Sequence, residues 1–580
     1  MNRIGFSLLL ALFAFGLLTA QNDEKESIGT QEVLVVKSYT PSLSDAFKLK
    51  STPRLADSLG SMEEELMYQL KKVPVISTFE PNKASPLKLQ QRKSTTPYNT
   101  FFSGGSGNKN QLYLNVSSVI ELDRTQRFGL NFYRDGFGSN LENTLLTSTQ
   151  NYTHLGLHHN LRSTDYNANT QLQFRTHKNN YFGLYNTDWD SLILNSVNPE
   201  IKRDYFKIRT HWNWFEDVLR GITFQANLTS DNFNTSEQQL GLQTDLEVDL
   251  GGGKLKSTVQ LSGFHTNFES SYYDENPEEY TQGKGALAIY WQHNGNDLKL
   301  KIGAGVSYLL GDANLSSSLF YYPQLEIYYQ KAKNVLTPYL KAEGGVHFNT
   351  YQSLTKMNPY LAPTTELKPT VNRYNASLGI RSQLASVLNF DIGFLYDQVE
   401  NLSYYERLPF DEKSKNQSYR LSNAFANKYA NSDLFGFNAS IRIDLAKDNF
   451  VRFETRYRVF ETKESQELWN IPAFEMNWES HFQLKDRFAF SLFGNLWGDR
   501  KAAVRPIFIN QDLNSVQTLS ESLALFISTS AHLTYKLTDQ FDVFVKSKIT
   551  SSQNHGRWAY YPEPPLLLLG GVTYKFDFQY

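Results

Sequence analysis

Along most of the chain apolar and polar side chains alternate with period two, the pattern of a strand with one greasy face and one wet face. The last nine residues, from Val572 to Tyr580, alternate without a break and end on an aromatic. Ile222, Phe224, Ala226 and Leu228 alternate with Thr223, Gln225, Asn227 and Thr229. Leu240, Leu242, Thr244, Leu246, Val248 and Leu250 face away from Gln243, Asp245, Glu247 and Asp249. Phe435, Phe437, Ala439, Ile441 and Ile443 stand opposite Asn438, Ser440, Arg442 and Asp444. The links between such segments alternate in length. Short ones fall near residues 123–126, 251–253, 294–296 and 446–449, and long ones near 135–149, 177–200, 269–282, 351–371, 398–432, 499–517 and 551–564. Asn294-Gly295 reads as a two-residue hairpin turn. Tight turns on one side and long loops on the other predict an all-β, transmembrane, antiparallel up-and-down barrel. About 21 strands are visible from Gln111 onward. The glycine-containing stretch 98–105, turning at Asn108-Lys109, supplies one more and makes about 22, with 18 to 20 still open.

Composition supports this picture. Phe (40) and Tyr (34) are spread through the alternating segments of a 580-residue chain, and after residue 20 no apolar run is long enough for a membrane helix, which needs about 20 residues. There is no cysteine, and 57 basic residues against 59 acidic ones give a balance too near neutral for a nucleic-acid partner. Residues 1–20 read as a signal peptide: Arg3 is the positive start, Phe6 to Leu18 the apolar core, and Thr19-Ala20 the small-residue exit. With no cysteine to be acylated, a lipoprotein is not expected. The expected organisation is a signal peptide (1–20), a periplasmic N-terminal segment or partial plug (21–97) and an outer-membrane barrel (98–580).

An aromatic C-terminus preceded by alternating aromatics resembles the recognition signal of Gram-negative outer-membrane barrels. The resemblance implies two partners, membrane lipid and the barrel assembly machinery acting on the last strand. Before the barrel, Glu32, Val33, Leu34, Val35 and Val36 form a short extended apolar run that resembles a TonB box, a peptide offered as an added strand. A small strand packing on the barrel mouth is the plainer alternative. The stretches YTPSLSDAFK (39–48) and VPVISTFEP (73–81) are similar to the N-terminal signature of TonB-dependent-receptor-like outer-membrane proteins of Bacteroidetes. Between them, residues 56–70 are spaced for a short amphipathic helix. That resemblance implies nutrient transport energised by TonB. The segment available is shorter than the folded plug of such a receptor, which favours instead a scaffold or accessory subunit of an outer-membrane assembly, secretion or surface complex, docked to other outer-membrane or periplasmic proteins.

Candidate chemistry is sparse. His154 and His158 share a strand face with His159 beside them, but no carboxylate at metal-site spacing accompanies them, so rim or lumen residues are the simpler reading. The run Gly104-Gly105-Ser106-Gly107 lacks the lysine and helix of a phosphate loop and reads as part of a hairpin. No Ser-His-Asp arrangement stands out. No catalytic, cofactor or metal residues are therefore expected, and the protein reads as a non-enzyme. Asp245, Glu247 and Asp249, with Arg442, Arg452, Arg456 and Arg458, predict charged rows in the lumen that either pair with one another or with the N-terminal segment, or line a substrate path.

Overall fold

The computed structural model describes residues 98–578 apart from 143, 185–188, 190, 270, 273–275, 312–317, 332–334, 385–386, 412–416, 464–466, 505–518 and 552–554. Glu32–Val36, the two N-terminal motifs, the expected short helix and the terminal Tyr580 lie outside the described residues.

The alternating segments form strands, in chain order β1 (Thr100–Gly107), β2 (Gln111–Glu121), β3 (Gln126–Phe137), β4 (Gln150–Arg162), β5 (Tyr166–Asn180), β6 (Glu200–Trp214), β7 (Leu219–Asp231), β8 (Ser236–Leu250), β9 (Gly253–Phe268), β10 (Glu278–Asn294), β11 (Leu298–Leu310), β12 (Leu319–Tyr329), β13 (Leu336–His347), β14 (Thr370–Leu384), β15 (Leu388–Arg407), β16 (Phe425–Ala446), β17 (Asn449–Thr462), β18 (Phe474–Leu484), β19 (Phe488–Gly498), β20 (Arg500–Val504), β21 (Leu519–Leu523), β22 (Phe526–Lys536), β23 (Phe541–Thr550) and β24 (Leu566–Phe576). Twenty-two of them form one antiparallel sheet in which each strand pairs with its sequence neighbour, β19 pairs with β22, and β24 pairs with β1 from Gly107↔Leu569 to Thr100↔Phe576. The barrel is closed and has no free edge, as a strand-built membrane crossing requires. Large apolar side chains such as Leu228, Leu240, Ile302, Phe394 and Phe435 are exposed on the outward face. Among the described residues no helix is long and apolar enough to cross a membrane.

Inside the wall, aromatic rings lie against glycines of nearby strands: Tyr339 on β13 against Gly379 of β14 and Gly393 of β15, Trp478 against Gly494, and His158 against Gly129. A Cβ at any of these glycines would meet the ring, so the register of each pair is fixed by fit as well as by hydrogen bonds.

Several expectations need correcting. Asn294-Gly295 does not make a two-residue turn: Gly295 N donates to Leu298 O and residues 295–297 form the link. A two-residue turn does form at Gly251-Gly252, both with positive φ (57° and 74°), which suits a primed turn. The Gly104–Gly107 run lies, as expected, in the first arm of the β1–β2 hairpin, paired on both sides, and the chain turns at residues 108–110. Much of the expected 398–432 loop is strand. A bulge between Val399 and Leu402, with Asn401 at φ 57°, reverses the inside-outside phase, and β15 and β16 continue to Arg407 and from Phe425. Residues 499–517 also contain half of the small β20–β21 hairpin. The last strand starts at Leu566. Its first residues do not alternate because Leu567 and Leu569 are buried inward while Leu566 and Leu568 face out. Two links at the loop end, residues 108–110 and 232–235, are tight rather than long.

Candidate functional site: the loop-closed mouth and the chamber below it

The barrel's main core is not in its wall but across one mouth. Phe137, Leu141, Phe182, Phe268, Tyr351, Leu361, Leu421, Phe425, Trp558 and Tyr561 belong to a single buried cluster, drawn from strand ends and loops spaced around the whole circumference. Tyr360 and Tyr561 stack at 3.5 Å between ring centroids, and Phe182 meets Tyr561 edge-on at 4.9 Å. The long loops therefore fold inward onto one another.

Loop 348–369 is tied to the wall by several side chains. It carries a short helix, Tyr351–Met357, whose N-cap Thr350 accepts from Ser353 N. The Glu237 carboxylate, 1% exposed at the start of β8, accepts from the helix's free N–H groups at Tyr351 (2.5 Å) and Gln352 (2.9 Å) and from the Thr266 hydroxyl (2.8 Å). A carboxylate at that position satisfies orphan donors and meets the positive end of the helix. On β6, Arg203 is fully buried and donates to Pro359 O (2.6 Å), Leu361 O (2.8 Å) and the Tyr351 hydroxyl (3.2 Å), while that hydroxyl donates to Asp231 (2.7 Å). Burial holds the Tyr351 phenol well above its ordinary pKa, so it stays a neutral donor. Gln239 and Gln282 also bond to this loop, Lys284 donates to Val346 O at the end of β13 just before it, and Tyr205 on β6 contacts Thr355.

The other loops use the same device, a buried arginine spending its planar donors on loop carbonyls. Arg407 donates to Gly183 O (2.8 Å) and Ser422 O, and lies over the Tyr560 ring. Arg420, 1% exposed, holds Ser271 O (3.0 Å) and Tyr272 O and pairs with Asp411 (2.8 Å). Arg500 holds Gly556 O (2.9 Å) and Arg557 O. Sequence inspection missed these arginines and Glu237. For Arg407 and Arg500 the available signal was an arginine at a strand end next to a long loop; Arg420 sits within a loop and Glu237 beside a tight one.

Below the closed mouth the lumen is polar. Most of the expected charged rows pair within the wall: Glu247 with Lys254 (2.5 Å), Lys256 and Arg220, Arg442 with Asp444 (2.9 Å), Arg452 with Glu454, and Arg458 with Glu475 (2.6 Å). Asp245 accepts from Thr258 and Gln243. A cavity of about 820 Å³ near the turn end is lined by Lys299, Arg381, Asp391, Arg442 and Arg452. A smaller one of about 380 Å³ lies against the loop core beside Tyr133, Asp135, Tyr152, Tyr360 and Glu563. His154 and His158 do face the lumen, but His159 points the other way and contacts Gln126 (3.2 Å), so the three do not converge. Among the described residues no group of three or more His, Cys, Asp or Glu side chains could hold a metal.

No protein-family model matches the sequence, and no curated protein matches it by sequence. Solved structures do match the fold. The siderophore receptor PirA from Acinetobacter baumannii superposes with a TM-score of 0.56 at 12% identity over 82% of this chain and 80% of that one. The FrpB iron transporter from Neisseria meningitidis gives 0.59 at 9% identity over 83% and 82%, and the copper transporter OprC 0.56 at 11% over 82% and 80%. At these identities the likeness is one of fold, the closed 22-stranded barrel of TonB-dependent receptors.

Proposed function

We propose that this chain is an outer-membrane barrel that admits a nutrient from the cell exterior, with its long loops outside, its tight turns and N-terminus in the periplasm, and Glu32–Val36 as the contact for TonB. The observation that carries the reading is the mouth. A 22-strand barrel encloses a lumen wide enough to need filling, and here loop 348–369 fills it at the loop end through Glu237 and Arg203, a latch that can release without unfolding the wall. The transporters sharing the fold support passage of a solute. Uptake energised through a TonB box works by backbone strand pairing, so Val35→Pro, which removes a ladder donor, should abolish uptake and leave the barrel assembled.

The alternative is a scaffold subunit. What favours it is an exposed apolar side chain beside the loop core, Leu192 (76% exposed), on the short helix Ser191–Ser196. Tagged protein pulled from membranes separates the two. Stable partner subunits indifferent to Val35→Pro but lost on deletion of residues 39–81 contradict transport, and recovery of the barrel alone or with TonB contradicts the scaffold.

A further inference from the structure

The lumen wall formed by β4 to β7, just below the loop helix, is unlike the rest. Cross-strand register lines up its inward residues in four rows. His154, Arg175, Tyr205 and Thr229 form the row nearest the loops, then Gly156, Gln173, Lys207 and Asn227, then His158, Gln171, Arg209 and Gln225, then Asn160, Asn169, His211 and Thr223. None of the sixteen is a carboxylate. Lys356 of the loop helix comes within electrostatic range of Lys207, as do Arg175 and Arg209.

Elsewhere in the wall several lumen cations sit beside a carboxylate partner. Lys301 pairs with Glu326 (3.1 Å), Arg381 with Asp391 (2.7 Å) and Arg458 with Glu475 (2.6 Å). No ion pair is formed by Arg175, Lys207, Arg209 or Lys356 among the described residues. Arg175 donates through Nη2 to Gln173 Oε1 (2.6 Å), but its Nε is buried without a partner, and so is His154 Nε2. Like charges set side by side repel, and buried donors without acceptors cost free energy. Both costs are relieved by a ligand that brings negative oxygen atoms.

We infer that this wall is a binding site for a multiply charged oxyanion, a phosphate ester or an oligocarboxylate, held between Arg175, Lys207 and Arg209 with the amides of Gln171, Gln173 and Gln225 completing its hydrogen bonds. The guanidinium groups suit bidentate contact with either oxyanion and Lys207 adds a point charge. A single negative charge leaves most of the cluster uncompensated, so mono-anions bind weakly. The inference rests on the reading of the barrel as a solute passage and names the class of solute.

The test is calorimetric titration of the full-length, detergent-solubilised protein with pyrophosphate, citrate and acetate. Wild type is compared with Arg203→Gln, in which the released loop cannot mask the site, with Lys207→Gln/Arg209→Gln, and with Lys301→Gln as a control on another part of the wall. Folding of every variant is checked by the heat-dependent gel shift of the barrel. Pyrophosphate or citrate should bind, more weakly as salt rises, and the double variant should lose about tenfold or more per charge removed, with Lys301→Gln unchanged. Tighter pyrophosphate identifies a phosphate ester, and tighter citrate a carboxylate. Absence of polyanion binding in both wild type and Arg203→Gln, or acetate binding as well as the polyanions, or equal losses in Lys301→Gln, overturns the site. Uptake of the labelled anion by cells is measured separately, and binding without TonB-dependent uptake refutes the passage and leaves the site standing.

Discussion

At the residue scale, Arg203 and Glu237 decide whether the mouth stays closed. Arg203 is fully buried and its donors go to three groups of loop 348–369. Removing one member of such a buried charged cluster costs about 3–5 kcal/mol, because its partners keep their desolvation cost without the compensating bonds. The wall strands hold one another through full hydrogen-bonded ladders, so the loss falls on the loop. Arg203→Gln should therefore keep the heat-modifiable barrel and make loop 348–369 sensitive to added protease, while an unchanged digestion pattern would remove Arg203 from the latch. Glu237→Gln keeps the shape but surrenders the charge at the helix N-terminus and should loosen the same loop more mildly, by about 1–2 kcal/mol. Hydrogen exchange at Tyr351 and Gln352 is the readout, and protection equal to wild type would count against the latch.

At the element scale, what could be read in advance divides cleanly. Strands exposed on one face and wetted on the other, such as β7, β8 and β17, announce themselves by strict alternation, and so does the body of β16. Strand ends that enter the loop core lose alternation because both faces are buried there. Tyr404 and Tyr405 on β15 are both buried, as are Phe425 and Ala426 on β16, beyond the bulge at Val399–Leu402 that shifts the phase. The loop core itself has no period, since its members come from segments far apart in sequence and meet only when the barrel closes. The charged rows were legible as rows but their partners were not: Arg458 finds Glu475 on the next strand, 17 residues on. The helix in loop 348–369 has only seven residues and owes its stability to Glu237 and Arg203, not to propensity. A bifunctional thiol reagent joining Gln239→Cys to Gln352→Cys should therefore lock the loop shut and stop uptake, with activity restored by a cleavable linker; uptake by the locked form would show that passage does not need this loop to move.

At the scale of the whole molecule, closure depends on the meeting of the first and last strands. Beyond the last β24–β1 pair, Asn99 Nδ2 donates to Phe578 O (2.8 Å) and Phe578 N donates back to Asn99 Oδ1 (2.7 Å), extending the seam by side-chain bonds. Deleting residues 578–580 should leave exported but unassembled protein; normal heat-modifiable barrel in the membrane would contradict that role. Sidedness is checked by thiol labelling of intact cells. Met357→Cys, exposed at the loop end, should react, and Gly252→Cys or Asp448→Cys, in tight turns, should not.

The central claim is a mouth closed by loop 348–369 that opens when energy arrives through Glu32–Val36. Gln225→Cys places a thiol on the inward face of β7, below that loop. Its reaction on intact cells is followed with a maleimide too large for general porins, with and without the proton-motive force, and in the Val35→Pro background. Labelling that appears only in energised cells and disappears with Val35→Pro is the expected result. Labelling that is the same in all three conditions contradicts the claim.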